Sequence, residues 1–145
     1  MATTADLSGI PLFSSLSEDE RATLAPLFDT QTPHEGERIV IEGASGYSFF
    51  VLIEGAAVVT LGDETVATYG PGDFFGEMAI LGRGGRTATV TATEPSRVLV
   101  LFGTDFRQLE QEHPAIAAQL EDAMRIRAAE LEDLRPGSTA PGPNA

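Results

Sequence analysis

The sequence predicts a mainly β domain flanked by helices, of the sandwich, roll or barrel kind, and three observations predict it. Between Thr30 and Phe102 lie six short segments rich in β-branched or aromatic residues, each bounded by Gly, Pro or Asp. A helix-start signature, Ser17-Glu18-Asp19-Glu20, stands ahead of them. A line of residues at 3-4 spacing, Ala117, Leu120, Met124, Arg127, Leu131 and Leu134, stands after them.

Taken in order, Ile10-Pro11-Leu12-Phe13 reads as a tight apolar turn. Ser17 then serves as N-cap, with Glu20 reaching back from the third helical position. Leu16, Leu24, Leu27 and Phe28 give that helix an apolar face, and Pro26 ends or bends it. The predicted strands are Arg38 to Ile41, Tyr47 to Ile53, Ala56 to Leu61, Thr65 to Tyr69, Arg86 to Thr93 and Arg97 to Phe102. Gly62-Asp63-Glu64 is a hairpin connection, and Gly70-Pro71-Gly72-Asp73 is a turn with two breakers. Many short strands at regular spacing imply two facing sheets or a closed barrel. Thr104 caps a short helix over Asp105 to Glu112, and Pro114 opens a longer one from its first position. Arg127 interrupts the otherwise apolar stripe of that helix. Residues 1–135 read as one domain, and the Pro/Gly-rich 136–145 tail reads as disordered.

Composition narrows the functions. The 145 residues carry 22 acidic and 9 basic side chains, a formal net charge of −13. Such a surface repels nucleic acid and anionic membranes at long range, so neither partner is expected. It also repels a small anion, so any anion site needs its own local positive charge. All nine basic residues are Arg, which excludes a Walker A loop and a Schiff-base lysine. With no Cys, thiolate metal sites and cysteine nucleophiles are excluded. His34 and His113, far apart in sequence, make a poor metal pair. No G-x-S-x-G elbow is present, and no catalytic acid/base pair stands out, so an enzyme is not expected. Residues 1–7 lack the basic and apolar regions of a signal peptide, and no apolar run spans a bilayer; the expectation is a cytoplasmic location.

The chemistry concentrates in Phe75-Gly76-Glu77-Met78-Ala79-Ile80 and Arg86-Thr87-Ala88-Thr89-Val90. Gly76 allows backbone to approach a ligand closely where a short helical turn should begin. The free N–H groups of such a turn form an anion site. Arg86 brings a planar guanidinium that pairs with two phosphate oxygens. Glu77 is an acceptor only when ionised, which suits a sugar hydroxyl and not a phosphate.

This stretch resembles the phosphate-binding cassette of cyclic nucleotide-binding domains, the cAMP/cGMP sensor modules. Glu77 and Arg86 stand nine residues apart, as in many members. The turns at Gly36-Glu37-Arg38-Ile39, Glu42-Gly43, Gly46-Tyr47, Glu54-Gly55 and Gly70-Pro71-Gly72-Asp73 fall where the family places its own. The resemblance runs from about Leu7 to Leu134. It implies an eight-stranded antiparallel β-roll of jelly-roll type, with an N-terminal helix and C-terminal lid helices.

The resemblance also implies roles. Gly76, Met78 and Ala79 belong to the turn whose amides hold the phosphate. Glu77 accepts from the ribose 2′-hydroxyl, Arg86 neutralises the phosphate, and Thr87 adds a backbone N–H and a hydroxyl within reach of the base. Phe75, Ala88 and Val90 become wall or support residues. The C-terminal helix closes over the base, with Arg127 stacked on or bonded to the purine. The expected ligand is cAMP, or cGMP, with no further cofactor and no metal; expected partners are a regulated protein or a second copy of the chain. The loop departs from many members in having Gly85 in place of the Pro before the arginine, and three glycines make its ordering costly. No helix-turn-helix, pore or kinase domain follows, which leaves either a bare sensor domain or a piece of a larger protein. The alternative reading is a degenerate domain that keeps the fold and acts through the Leu120–Leu134 stripe in interaction or dimerisation.

Overall fold

The computed structural model describes residues 2–40, 48–76 and 88–133, with side chains described as far as 126. Among the described residues, two α-helices precede the strands and two follow them. Helix α1, Thr4–Leu7, starts at a reciprocal cap: the Asp6 N–H donates to Thr3 Oγ1 at 3.3 Å and the Thr3 N–H donates to Asp6 Oδ2 at 2.9 Å. A 3-10 turn over Pro11–Phe13 follows. Helix α2, Glu18–Leu24, has the predicted box, with the Glu20 N–H donating to Ser17 Oγ at 3.1 Å and the Ser17 N–H to Glu20 Oε1 at 2.9 Å. Pro26 acts as expected, because the α-helix stops at Leu24 and tightens into a 3-10 turn over Ala25–Leu27.

Eight strands follow: β1 Asp29–Gln31, β2 Arg38–Val40, β3 Ser48–Glu54, β4 Ala57–Leu61, β5 Glu64–Tyr69, β6 Phe74–Phe75, β7 Thr89–Ala92 and β8 Arg97–Phe102. They form two antiparallel four-stranded sheets, ordered β1-β8-β3-β6 and β2-β7-β4-β5. The expected roll is therefore present. Helices α3, Gly103–Glu112, and α4, Pro114–Asp133, close the chain.

The two central strands of the first sheet, β3 and β8, are buried on both faces. Phe50 and Leu52 of β3, with Val98 and Val100 of β8, pack into the core between the sheets, beside Val59, Val90 and Phe75. Their neighbours Phe49, Val51, Leu99 and Leu101 face the other way, against Phe13, Phe28, Phe106, Leu120 and Met124 of the helical layer. Alternation therefore serves two cores, which is why β3 and β8 read as unbroken apolar runs. The second sheet is wet on one side, as the buried and half-buried alternation of β7 records.

Two expectations need correction, and other elements were not foreseen or lie outside the described residues. Thr104 does not cap α3: Phe102, still extended at φ −76 and ψ 146, holds that position without a side-chain bond, because β8 runs straight into the helix and Gly103 becomes its first residue. The strand expected to run to Thr93 ends at Ala92, since the chain must then turn across to the other sheet. β1 and β6 were not expected from the residues, nor was α1. Leu134 and residues 136–145 lie outside the described residues, as do Ile41 and Tyr47 at the ends of two predicted strands.

The two transfers between sheets lock together at one corner. Gly55 and Ala56 carry the chain from β3 to β4, and residues 93–96 carry it from β7 to β8. Buried Ser96 ties them: its hydroxyl donates to the Glu94 carbonyl at 2.8 Å and accepts from the Ala56 N–H at 3.3 Å. The Thr93 N–H donates to the Ala56 carbonyl at 2.9 Å.

Charged groups hold the helices to this frame. Arg97, at the start of β8, donates from both terminal nitrogens to Asp6 Oδ1 at 3.2 Å and lies 3.4 Å from Glu54 Oε1. The Gln119 amide of α4 donates to Glu20 Oε2 at 2.8 Å. The Thr3 N–H, and then Arg97, hold the Asp6 carboxyl below its ordinary range against the opposing effect of burial. The Ser17 N–H does the same for Glu20, with help from Gln119. A depressed folded pKa gives stability that is present above the ordinary carboxylate value, about 4, and is lost as pH falls through the folded value. The doubly substituted Asp6→Asn, Glu20→Gln chain is therefore expected to be less stable than the parent at pH 7 and to lose less on acidification from about pH 5 to 3. Urea unfolding across that range checks it; parallel curves for the two chains would contradict it.

Candidate functional site

The chain reaches the predicted cassette through a rigid approach. Gly70-Pro71-Gly72-Asp73 forms a type II turn: Pro71 takes the second position, Gly72 the third with φ +94, and the Asp73 N–H donates to the Gly70 carbonyl at 3.1 Å. The Asp73 carboxylate also accepts from the Gly70 N–H at 2.8 Å. Two backbone bonds fasten this turn to β3, from the Leu52 N–H to the Asp73 carbonyl at 2.9 Å and from the Gly72 N–H to the Leu52 carbonyl at 2.7 Å. β6 follows at once, with Phe74 opposite Val51 and Phe75 opposite Phe50.

Phe74 and Phe75 split between the two cores. Phe74 packs with the helical layer and Phe75 with the core between the sheets, where it is completely buried. Its ring is near-parallel to two others, Phe50 at 5.1 Å and 11° and Tyr69 at 5.3 Å and 5° between centroids and planes. Gly76 comes next, in the left-handed region at φ +82. A side chain there would meet the steric cost that glycine avoids.

On the far side, the described chain resumes at Ala88, fully buried in the same core as Phe75, and passes into β7, where Val90 is also fully buried. Residues 77–87 therefore leave from and return to one packed core. The structure brings Phe75, Gly76 and Ala88 to that point. Glu77, Met78, Ala79, Arg86 and Thr87 lie outside the described residues, and so do Arg83 and Gly85. Arg127 lies on α4, and its side chain is likewise outside the description. Ala117, Leu120 and Met124, the earlier members of its stripe, are buried against the helical face of the first sheet.

Sequence reading missed Phe50 and Tyr69 as neighbours of the site. They share no spacing with Phe75, and only closure of the roll brings them together. Among the described residues, no group of three or more His, Asp or Glu is placed to hold a metal. His34 is exposed, 3.4 Å from Glu37, and His113 lies between α3 and α4. Two grooves of about 310 and 330 Å³ among the described residues border the Pro11 turn. No described helix is long and apolar enough to cross a membrane.

Two antiparallel four-stranded sheets rolled against each other, with helices packed on the outer face of one, define a jelly-roll domain. The chain belongs to the cyclic nucleotide-binding domain family, whose model matches residues 31–113. It is 39% identical over 103 residues to the cAMP-dependent protein kinase regulatory subunit of Hypocrea atroviridis, a match covering 71% of this chain and 22% of that one. It is 32% identical over 133 residues to the Cyclic AMP receptor protein of Thermus thermophilus, covering 87% of this chain and 62% of the receptor. Its fold matches the regulatory domain of Toxoplasma gondii PKA, solved with cAMP, at a TM-score of 0.74 and 26% identity, over 88% of this chain and 48% of that one. The chain thus spans less than two thirds of the length of these relatives.

Proposed function

We propose that this chain is a cyclic nucleotide sensor module that binds cAMP, or cGMP, through residues 76–87. Gly76 at φ +82, set at the end of a buried strand where the family's cassette begins, is the observation that carries the reading. In it, amides of the turn over Gly76, Met78 and Ala79 receive the phosphate, Arg86 neutralises it, Glu77 accepts from the 2′-hydroxyl and Thr87 meets phosphate and base. Phe75 and Ala88 support the loop from the core. α4 closes over the base, bringing Arg127 to the purine, and this movement exposes or hides a surface for a regulated protein or a second copy of the chain. The module, residues 1–135, works in the cytoplasm by shifting populations and catalyses nothing; 136–145 is a tail outside it. Support comes from the family match, from the kinase and receptor relatives, and from a neighbour of the same fold solved with cAMP.

A thermal-shift series with cAMP, cGMP and AMP tests the reading. Saturating cyclic nucleotide is expected to raise the melting temperature by several degrees, since about a hundredfold excess over Kd stabilises by roughly 2.7 kcal/mol, while AMP leaves it unchanged. No shift with either cyclic nucleotide at millimolar concentration would leave the degenerate, interaction-only domain as the better reading.

A further inference from the structure

The strand that delivers Gly76 is two residues long, too short to hold a position by its own ladder. Among the described residues, β6 is also the edge of its sheet, and β5 is the edge of the other. At these two edges the sheets share no ladder in the described residues, and side chains must join them. Phe50 of β3, Phe75 of β6 and Tyr69 of β5 do this as three near-parallel rings, with Phe75 in the middle. All three are buried, at 7%, 0% and 8% exposure. Parallel rings at these separations resist both sliding and tilting, because the offset geometry is the favoured one and the core around it is dense. Phe75 is bonded to Gly76, so a shift of its ring displaces the first amide of the cassette.

We infer that the Tyr69–Phe75–Phe50 stack is the positioning element of the nucleotide site, and that Tyr69 and Phe50 are positioning residues acting through Phe75. This rests on the function proposed above. An anion cradle of backbone amides works only when the amides converge on one point, and misplacement by about 1 Å at such a site costs up to roughly a hundredfold. Tyr69 therefore governs affinity from the opposite sheet, with no need to touch the ligand.

The test is calorimetric titration of cAMP and cGMP into the whole chain, at a temperature where every variant is fully folded by circular dichroism. Tyr69→Ala is expected to weaken binding about tenfold or more, and Tyr69→Phe, which keeps the ring, to bind within about twofold of the parent. Tyr69→Leu keeps bulk without a ring and is expected to lose affinity like the alanine variant; it serves if Tyr69→Ala does not fold. Val59→Ala removes an aliphatic side chain from the same core while all three rings remain, and is expected to lower the melting temperature without the affinity loss. Parent-like binding by Tyr69→Ala overturns the inference and leaves the sensor reading standing. An equal loss in Tyr69→Phe assigns the effect to the hydroxyl, and an equal loss in Val59→Ala assigns it to general softening; either overturns the inference. A parent that binds neither nucleotide overturns the sensor reading, and the inference with it.

Discussion

Arg86→Ala is expected to weaken cyclic nucleotide binding by roughly two to three orders of magnitude, about 3–4 kcal/mol. The size follows from charge. Opposite unit charges about 4 Å apart are worth roughly 4 kcal/mol at an effective dielectric near 20. Removing one partner of a buried, hydrogen-bonded pair typically costs about 2–5 kcal/mol, because the other is left uncompensated. Here the background makes the loss worse: a chain of net charge −13 repels the phosphate, and few arginines counter it. Arg86→Lys keeps the charge and loses the planar fork, so it should recover only part of the affinity. Calorimetry reads both variants. A loss below about fivefold in Arg86→Ala would remove this residue from the phosphate site.

Gly55→Ala is the second large effect, and it strikes the fold. Gly55 has φ +99, and a Cβ there would collide with Ser96 Oγ and lie 2.7 Å from the Ser96 Cα. The second contact is with backbone, so no rotamer change relieves it. Either the β3–β4 transfer or the β7–β8 transfer must move, and the bonds joining Ala56 to Thr93 and Ser96 go with it. Positive φ costs a non-glycine residue about 1–2 kcal/mol. Forcing an atom into a filled corner adds typically about 1–3 kcal/mol. The melting temperature should fall by roughly 10 °C. Gly62→Ala is the control: φ is +59 and nothing lies within 4 Å of the added carbon, so only the conformational cost applies. Equal melting temperatures for the two variants would contradict the corner argument.

These cases show what a linear reading can reach. β3 and β8 were legible because each is buried on both faces and leaves an unbroken apolar run. The start of α2 was legible because a capping box is local chemistry. β1 was not. Asp29-Thr30-Gln31 is polar and largely exposed, and only its pairing with Val98, Leu99 and Val100 makes it a strand. β6 is two residues long and owes its place to the turn before it and to the rings around it. α1 carried a local signal in Thr3 and Asp6, at capping-box spacing, in a segment short enough to pass for a tail. The candidate site divides the same way. The chemistry expected of Gly76 to Thr87 rests on residue types, spacing and family resemblance. Of the residues packed behind that stretch, Phe75 and Ala88 were expected as supports from the resemblance, while Phe50 and Tyr69 were not, because they meet Phe75 only once the roll has closed.

The most direct measurement is a crystal structure of this chain grown with saturating cAMP. The proposed function predicts the cyclic phosphate beside the amides that follow Gly76, with Arg86 on its oxygens, Glu77 on the ribose hydroxyl and Arg127 of α4 over the base. Nucleotide bound at another place, or the ground beyond Gly76 filled by protein side chains with no nucleotide present, would contradict it.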